Sequence, residues 1–189
     1  MPRAKKRQKK PGDEHTFLGI RVERYEASME AGVNHGVYAP QLAWNLDDDH
    51  PLYEFNTRLM IVGVATYPEG REGDSYEFRI SADNVGAFDI RATLKDVQVR
   101  DEHGSPKYRS YRGRQVPVYI PPKGMGLIDK VRGEPRWTAW LRVLPCFASD
   151  ALVLLRSDRT LFLAVHERKR DRTRWIQSLS LQTTDPSEE

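Results

Sequence analysis

Four cations and two tyrosines are interleaved in Lys107-Tyr108-Arg109-Ser110-Tyr111-Arg112-Gly113-Arg114. A guanidinium presents forked donors that match phosphate oxygens, and its plane stacks on bases. A tyrosine adds a face for stacking and a hydroxyl for phosphate. The basic character continues through Lys123, Lys130, Arg132, Arg136 and Arg142, with Trp137 and Trp140 close by. A second basic turn, Arg168-Lys169-Arg170-Asp171-Arg172, leads into Arg174 and Trp175. This pattern points to nucleic acid, DNA or RNA, as the partner. The plainer account is a solvated edge strand, because cations also protect sheet edges from pairing.

The first ten residues hold Arg3, Lys5, Lys6, Arg7, Lys9 and Lys10 and no acid. Such a run gains affinity for phosphate backbones by releasing counterions, although it also fits a localisation signal or a ribosome-binding tail. The net charge of +3 hides a polarised chain. Residues 13–55 carry nine Asp/Glu against Arg21 and Arg24, whereas residues 107–142 carry nine Lys/Arg against Asp129 and Glu134. An anionic partner and internal pairing between these two stretches are both consistent with that asymmetry.

Other chemistry finds little support. There is no phosphate-cradling Gly-Lys-Ser/Thr loop, no His-Glu-x-x-His helix and no Gly-x-Ser-x-Gly elbow. Asp47, Asp49 and His50, in Asp47-Asp48-Asp49-His50, are weak candidates for a divalent ion. Consecutive acids equally mark a wet loop. Asp89, Lys95 and Asp96 are too loosely spaced to specify a nuclease. His103 lies beside Asp101 and Glu102 in a turn, and His166 is expected to pair with Glu167. Cys146 is the only cysteine, which excludes an intrachain disulfide framework, and its apolar setting suits an inert buried thiol.

The elements that would carry these residues read as strands. Leu18, Ile20 and Val22 alternate, and Glu30 to Pro40 holds enough Gly, Asn and Pro to favour turns. Leu52 to Thr66 is a long strand expected to switch its buried face near Met60 through a bulge. Tyr76, Phe78 and Ile80 form a clean half-buried strand, and Phe88 to Leu94 a further one. Val116 to Ile120 is an edge strand, given Pro117. The last third predicts a meander over Trp137–Leu144, Ala151–Arg156, Leu161–His166 and Arg174–Gln182, with a tight hairpin at Ser157-Asp158-Arg159.

The expected architecture is therefore mainly β: an antiparallel sandwich or a partly open barrel of about eight strands. A disordered basic arm over residues 1–16 precedes one domain at 17–183, and residues 184–189 fray. No apolar run reaches the roughly 18 residues of a membrane span, and no apolar stretch follows the basic start as in a signal peptide. A cytoplasmic protein is expected, or one of the nucleoid or nucleus if it binds nucleic acid, without a cofactor. The leading expectation is a non-enzymatic module contacting nucleic acid through Lys107, Tyr108, Arg109, Tyr111, Arg112 and Arg114 and through the arm. A protein-interaction or assembly module using a sheet edge and charge-complementary acidic and basic surfaces comes second, and a metal-dependent hydrolase third.

Overall fold

The computed structural model describes residues 12–34, 52–83 and 92–188. Its strands are β1 (Glu14–Val33), β2 (Tyr53–Tyr67), β3 (Ser75–Asp83), β4 (Tyr108–Tyr111), β5 (Arg114–Pro117), β6 (Gly126–Lys130), β7 (Arg136–Arg142), β8 (Phe162–Arg170) and β9 (Thr173–Gln182). Among the described residues a single α-helix, α1 (Pro145–Leu155), lies between β7 and β8. Seven strands close into a barrel in the order β1-β2-β3-β7-β6-β9-β8, and β4 and β5 form a separate two-stranded sheet. The sheet thus closes on itself and neither stays partly open nor splits into two layers. Among the described residues, no helix is long and apolar enough to cross a membrane.

Alternation explains the closure. Leu18 and Ile20 in β1, Leu59 and Ile61 in β2, Tyr76, Phe78 and Ile80 in β3, and Leu163 and Val165 in β8 all point inward and are buried. β1 pairs with β2 along one side, and Glu14 to Arg21 pair with β8 along the other, which closes the ring. All barrel pairings are antiparallel except β3 with β7, because the chain crosses over through β4, β5 and β6 before β7 returns beside β3.

Several expectations are corrected. β1 continues as strand to Val33, through residues expected to turn. β2 does not switch faces: Leu59, Ile61, Gly63 and Ala65 keep one inward phase. The irregularity lies in its partner instead, between Val22 and Arg24 of β1. Gly63 sits opposite Val22 at that point, where a Cβ would run into the Arg21 carbonyl oxygen and meet Ile20 Cγ2 at 2.8 Å. Ala151 to Arg156 is not a strand but the end of α1, whose Ala148, Ala151 and Leu155 recur at helical spacing and are buried. Pro145 in the first turn suits a helix start. Ser157 to Arg159 therefore link a helix to a strand. At the C-terminus, Pro186–Glu188 form a 3-10 turn that packs on the barrel beside Gly19, where fraying was expected. Ala92 to Leu94 are not strand, and the rest of that expected element lies outside the described residues.

One end of the barrel is filled by a charged cluster. Glu167 continues the inward phase of β8 and is fully buried. Arg174 of β9 donates to its Oε1, and Arg71, from the 3-10 turn Glu69–Arg71, stands 3.7 Å from the same oxygen. Arg71 also donates to the Tyr76 hydroxyl at 2.7 Å and lies 3.8 Å from the centroid of the Trp137 ring. The Trp137 Nε1–H donates to Asp74 at 2.8 Å, and its ring stacks on Tyr76. Burial pushes the Tyr76 phenol up to about 12, so it stays neutral and accepts from Arg71.

Removing one partner from a buried ion pair leaves an uncompensated charge. Glu167→Ala strands two guanidiniums and is expected to destabilise the fold by about 3–5 kcal/mol. Glu167→Gln, which retains an acceptor, costs less. Urea denaturation followed by tryptophan fluorescence measures both, and midpoints equal to the parent's would show that the cluster contributes nothing.

Candidate nucleic-acid interface

Lys107 to Arg114 forms a two-stranded hairpin standing outside the barrel. Tyr111 pairs with Arg114, leaving Arg112 and Gly113 as a two-residue turn. Both have positive φ, 50° and 76°, the condition for a turn that matches the twist of its strands. Glycine meets that condition freely, whereas Arg112 adopts it under strain. The register places Arg109, Tyr111, Arg114 and Val116 on one face and Tyr108, Ser110, Gln115 and Pro117 on the other. The two tyrosines, expected to act together, are thus divided. Tyr111 joins the arginines, with the Arg112 guanidinium 5.3 Å from its ring, while Tyr108 faces away. Both are more than half exposed.

Among the described residues, no acid of the 13–55 stretch forms an ion pair with this hairpin. Asp13 approaches Arg168 at 4.0 Å and Arg170 at 3.8 Å, and Glu14 pairs with Lys169 at 2.8 Å. Glu26 pairs with Arg24, and Glu30 with Arg58. The closing seam of β1 and β8 therefore ties Asp13 and Glu14 to the second basic turn. Lys107, Arg109, Arg112 and Arg114 are exposed, and the ion pairs of the described residues do not involve them.

The barrel wall adds aromatic groups. Successive strand partners form a row across its outer face: Arg79 of β3, Trp140 of β7, Leu127 of β6, Trp175 of β9 and Arg168 of β8. In β7, Trp137, Ala139 and Leu141 face inward, which turns Trp140 outward, 43% exposed. Beside Trp175 lies a largely apolar cavity of about 1050 Å³. Its walls include Leu94, Val97, Met125, Phe147 and Trp175, with Lys123 at its rim. Lys123 Nζ is 5.7 Å from the Trp175 ring centroid. Trp137 follows the inward phase of β7 into the core, and the same alternation turns Trp140 out.

The remaining candidates disperse. Lys5, Lys6, Arg7, Lys9 and Lys10 lie outside the described residues, as do Asp47, Asp49, His50 and Asp89. Among the described residues, no three His, Cys, Asp or Glu side chains gather to hold a metal ion. Asp96 turns back on Thr93, accepting from its backbone N–H at 2.6 Å and its hydroxyl at 2.7 Å. These bonds hold its carboxyl below the ordinary range. Asp101 accepts the backbone N–H groups of His103 and Ser105, which explains that turn without catalysis. Cys146 is exposed, contrary to expectation, and lines the cavity. No protein-family model, curated protein or solved structure matches the chain.

His166 is not paired with Glu167, because consecutive strand residues face opposite ways. It points outward and shares a hydrogen bond of 2.9 Å with His15 across the β1–β8 seam, while Phe17 stacks on its ring. Partial burial, then the neighbouring His15 and Arg168, push the His166 pKa down from 6.5. The folded protein thus favours the neutral ring. The associated stability is fully present above pH 6.5 and is lost as pH falls from 6.5 through the lower folded value. Denaturation midpoints measured from pH 7.5 to 5 are expected to fall, and His166→Gln should flatten that slope. A parent midpoint indifferent to pH in this window contradicts the assignment.

Proposed function

We propose that the chain is a non-enzymatic nucleic-acid-binding module whose principal contact is the β4–β5 hairpin. The observation that carries this reading is the contrast between the two basic clusters. Lys169 and Arg170 are tied to Glu14 and Asp13, whereas Lys107, Arg109, Arg112 and Arg114 stand exposed on a hairpin with a two-residue turn, outside the ion pairs of the described residues. Arg109, Tyr111 and Arg114 share a face, so phosphate contact and base stacking can be made together. The arm, through Lys5, Lys6, Arg7, Lys9 and Lys10, adds phosphate contacts that carry no sequence information.

Each phosphate contact adds about 0.7 to the salt slope for single strands and about 0.9 for duplex DNA. Replacing Arg109, Arg112 and Arg114 together by Gln should lower the slope by about 2 on single strands and weaken binding at every salt concentration. Fluorescence anisotropy across a salt series reads both, with DNA and RNA, and with and without residues 1–12. Binding lost only on removing residues 1–12, with the hairpin variant unchanged, would end the hairpin reading.

A second reading, an assembly module, draws on a different feature. β8 accompanies β1 only as far as Arg21, so from Arg24 to Val33 β1 is paired on one side alone among the described strands. Met29 on this edge is 81% exposed. Such an edge is a template for another strand. If it joins two copies, light scattering shows a concentration-dependent dimer that Met29→Lys abolishes. A monomer at all concentrations disposes of self-assembly.

A further inference from the structure

We propose that the cavity beside Trp175 receives an unpaired nucleobase, which makes single-stranded nucleic acid the preferred partner. This inference rests on the nucleic-acid reading of the hairpin and goes one step further, to the state of the strand that is bound. The first argument is continuity. The chain leaves the cavity wall at Val97, builds the cationic hairpin, and returns to the wall at Pro122 and Lys123. The hairpin that carries Arg109, Arg112 and Arg114 is thus rooted at both ends in the cavity wall.

The second argument is chemical fit. A base has two apolar faces and a polar edge, and it needs stacking surfaces with a few hydrogen-bonding groups beside them. Trp175, Phe147 and Met125 supply the apolar walls, and Gln177 and Asp150 add polar groups to the lining. Lys123 at the rim supplies a cation next to the Trp175 face, where a phosphate following the inserted base would lie.

The third argument is pre-organisation. The Lys123 carbonyl oxygen accepts from Arg168 Nη2 at 2.9 Å and from Gln177 Nε2 at 2.6 Å, which fixes one lip. The two bonds from Thr93 to Asp96 fix the other. A cavity already held open avoids the cost of ordering its walls on binding. A base inside a duplex is stacked on both faces and must be unpaired before it can enter, which penalises duplex by that amount.

Cys146 gives a direct test on the unaltered chain, since it is the only cysteine, is exposed and lines the cavity. A saturating single-stranded oligonucleotide should slow maleimide modification of Cys146 at least about ten-fold, and a blunt duplex of equal length should not. Trp175→Ala should weaken single-strand binding about ten-fold, the scale of one lost base–aromatic stack, without changing the salt slope. Trp175→Phe, which keeps a stacking ring, should recover most of the loss.

The outcomes separate the two claims. Salt-sensitive single-strand binding with Cys146 reacting at its free rate and Trp175→Ala binding normally overturns the cavity proposal and leaves the hairpin reading standing. Equal protection by duplex and single strand overturns the cavity proposal as well. No binding to any nucleic acid at low salt removes the hairpin reading beneath it.

Discussion

A carboxylate sealed inside a β-barrel is tolerable only if the barrel brings it counter-charges, and Glu167 is such a group. One partner is near in the chain and the other far from it. Arg174 belongs to the neighbouring strand, and Arg71 to a turn after β2. The pairing therefore fixes the position of the 69–71 turn relative to the β8–β9 hairpin. Trp137 is caught in the same arrangement, with Asp74 holding its ring nitrogen and Arg71 lying over its face. Burial of one charge thus dictates the geometry of an entire barrel end. The charges are a constraint more than a source of stability, since buried ion pairs often only break even against a well-packed apolar alternative.

This closure determines where binding can occur. The cluster fills one end, and Ala148, Ala151 and Leu155 of α1 are buried in the same core as the inward residues of the strands. Tyr76, Phe78, Leu163 and Ile176 pack the space between. The interior is a core and not a lumen, so the surface proposed for recognition lies outside. What the outside offers is the row through Trp140 and Trp175, the cavity beside it and the hairpin that springs from the cavity wall.

Local periodicity carried much of the fold in the sequence, as at Tyr76, Phe78 and Ile80. It failed where a local pattern has two meanings. Ala151-Leu152-Val153-Leu154-Leu155 is an apolar run of strand length, and periodicity alone does not distinguish it from a buried helix. It also could not reveal contacts that exist only because the barrel closes. Glu14 meets Lys169, and His15 meets His166, across more than 150 residues of sequence. The phase of β8 does place Glu167 inward after Leu163 and Val165, but no local rule supplies Arg71 and Arg174. For the candidate site, the cations and tyrosines were legible as a charged sheet edge. The hairpin, its Arg112-Gly113 turn and the division of its tyrosines required the register.

The closing seam also bears on an ambiguity that composition leaves open. An excess of acid in one stretch and of base in another can mean mutual neutralisation or an outside partner. Here the acids at the start of β1 are positioned by barrel closure opposite β8, so their counter-charges are Arg168, Lys169 and Arg170. Those cations hold the fold's last seam and are poorly placed to serve a ligand as well. The hairpin, reached by a crossover that leaves the barrel altogether, lies beyond that pairing. Among the described residues its cations stand outside the ion pairs, while barrel closure ties Asp13 and Glu14 to the other basic cluster.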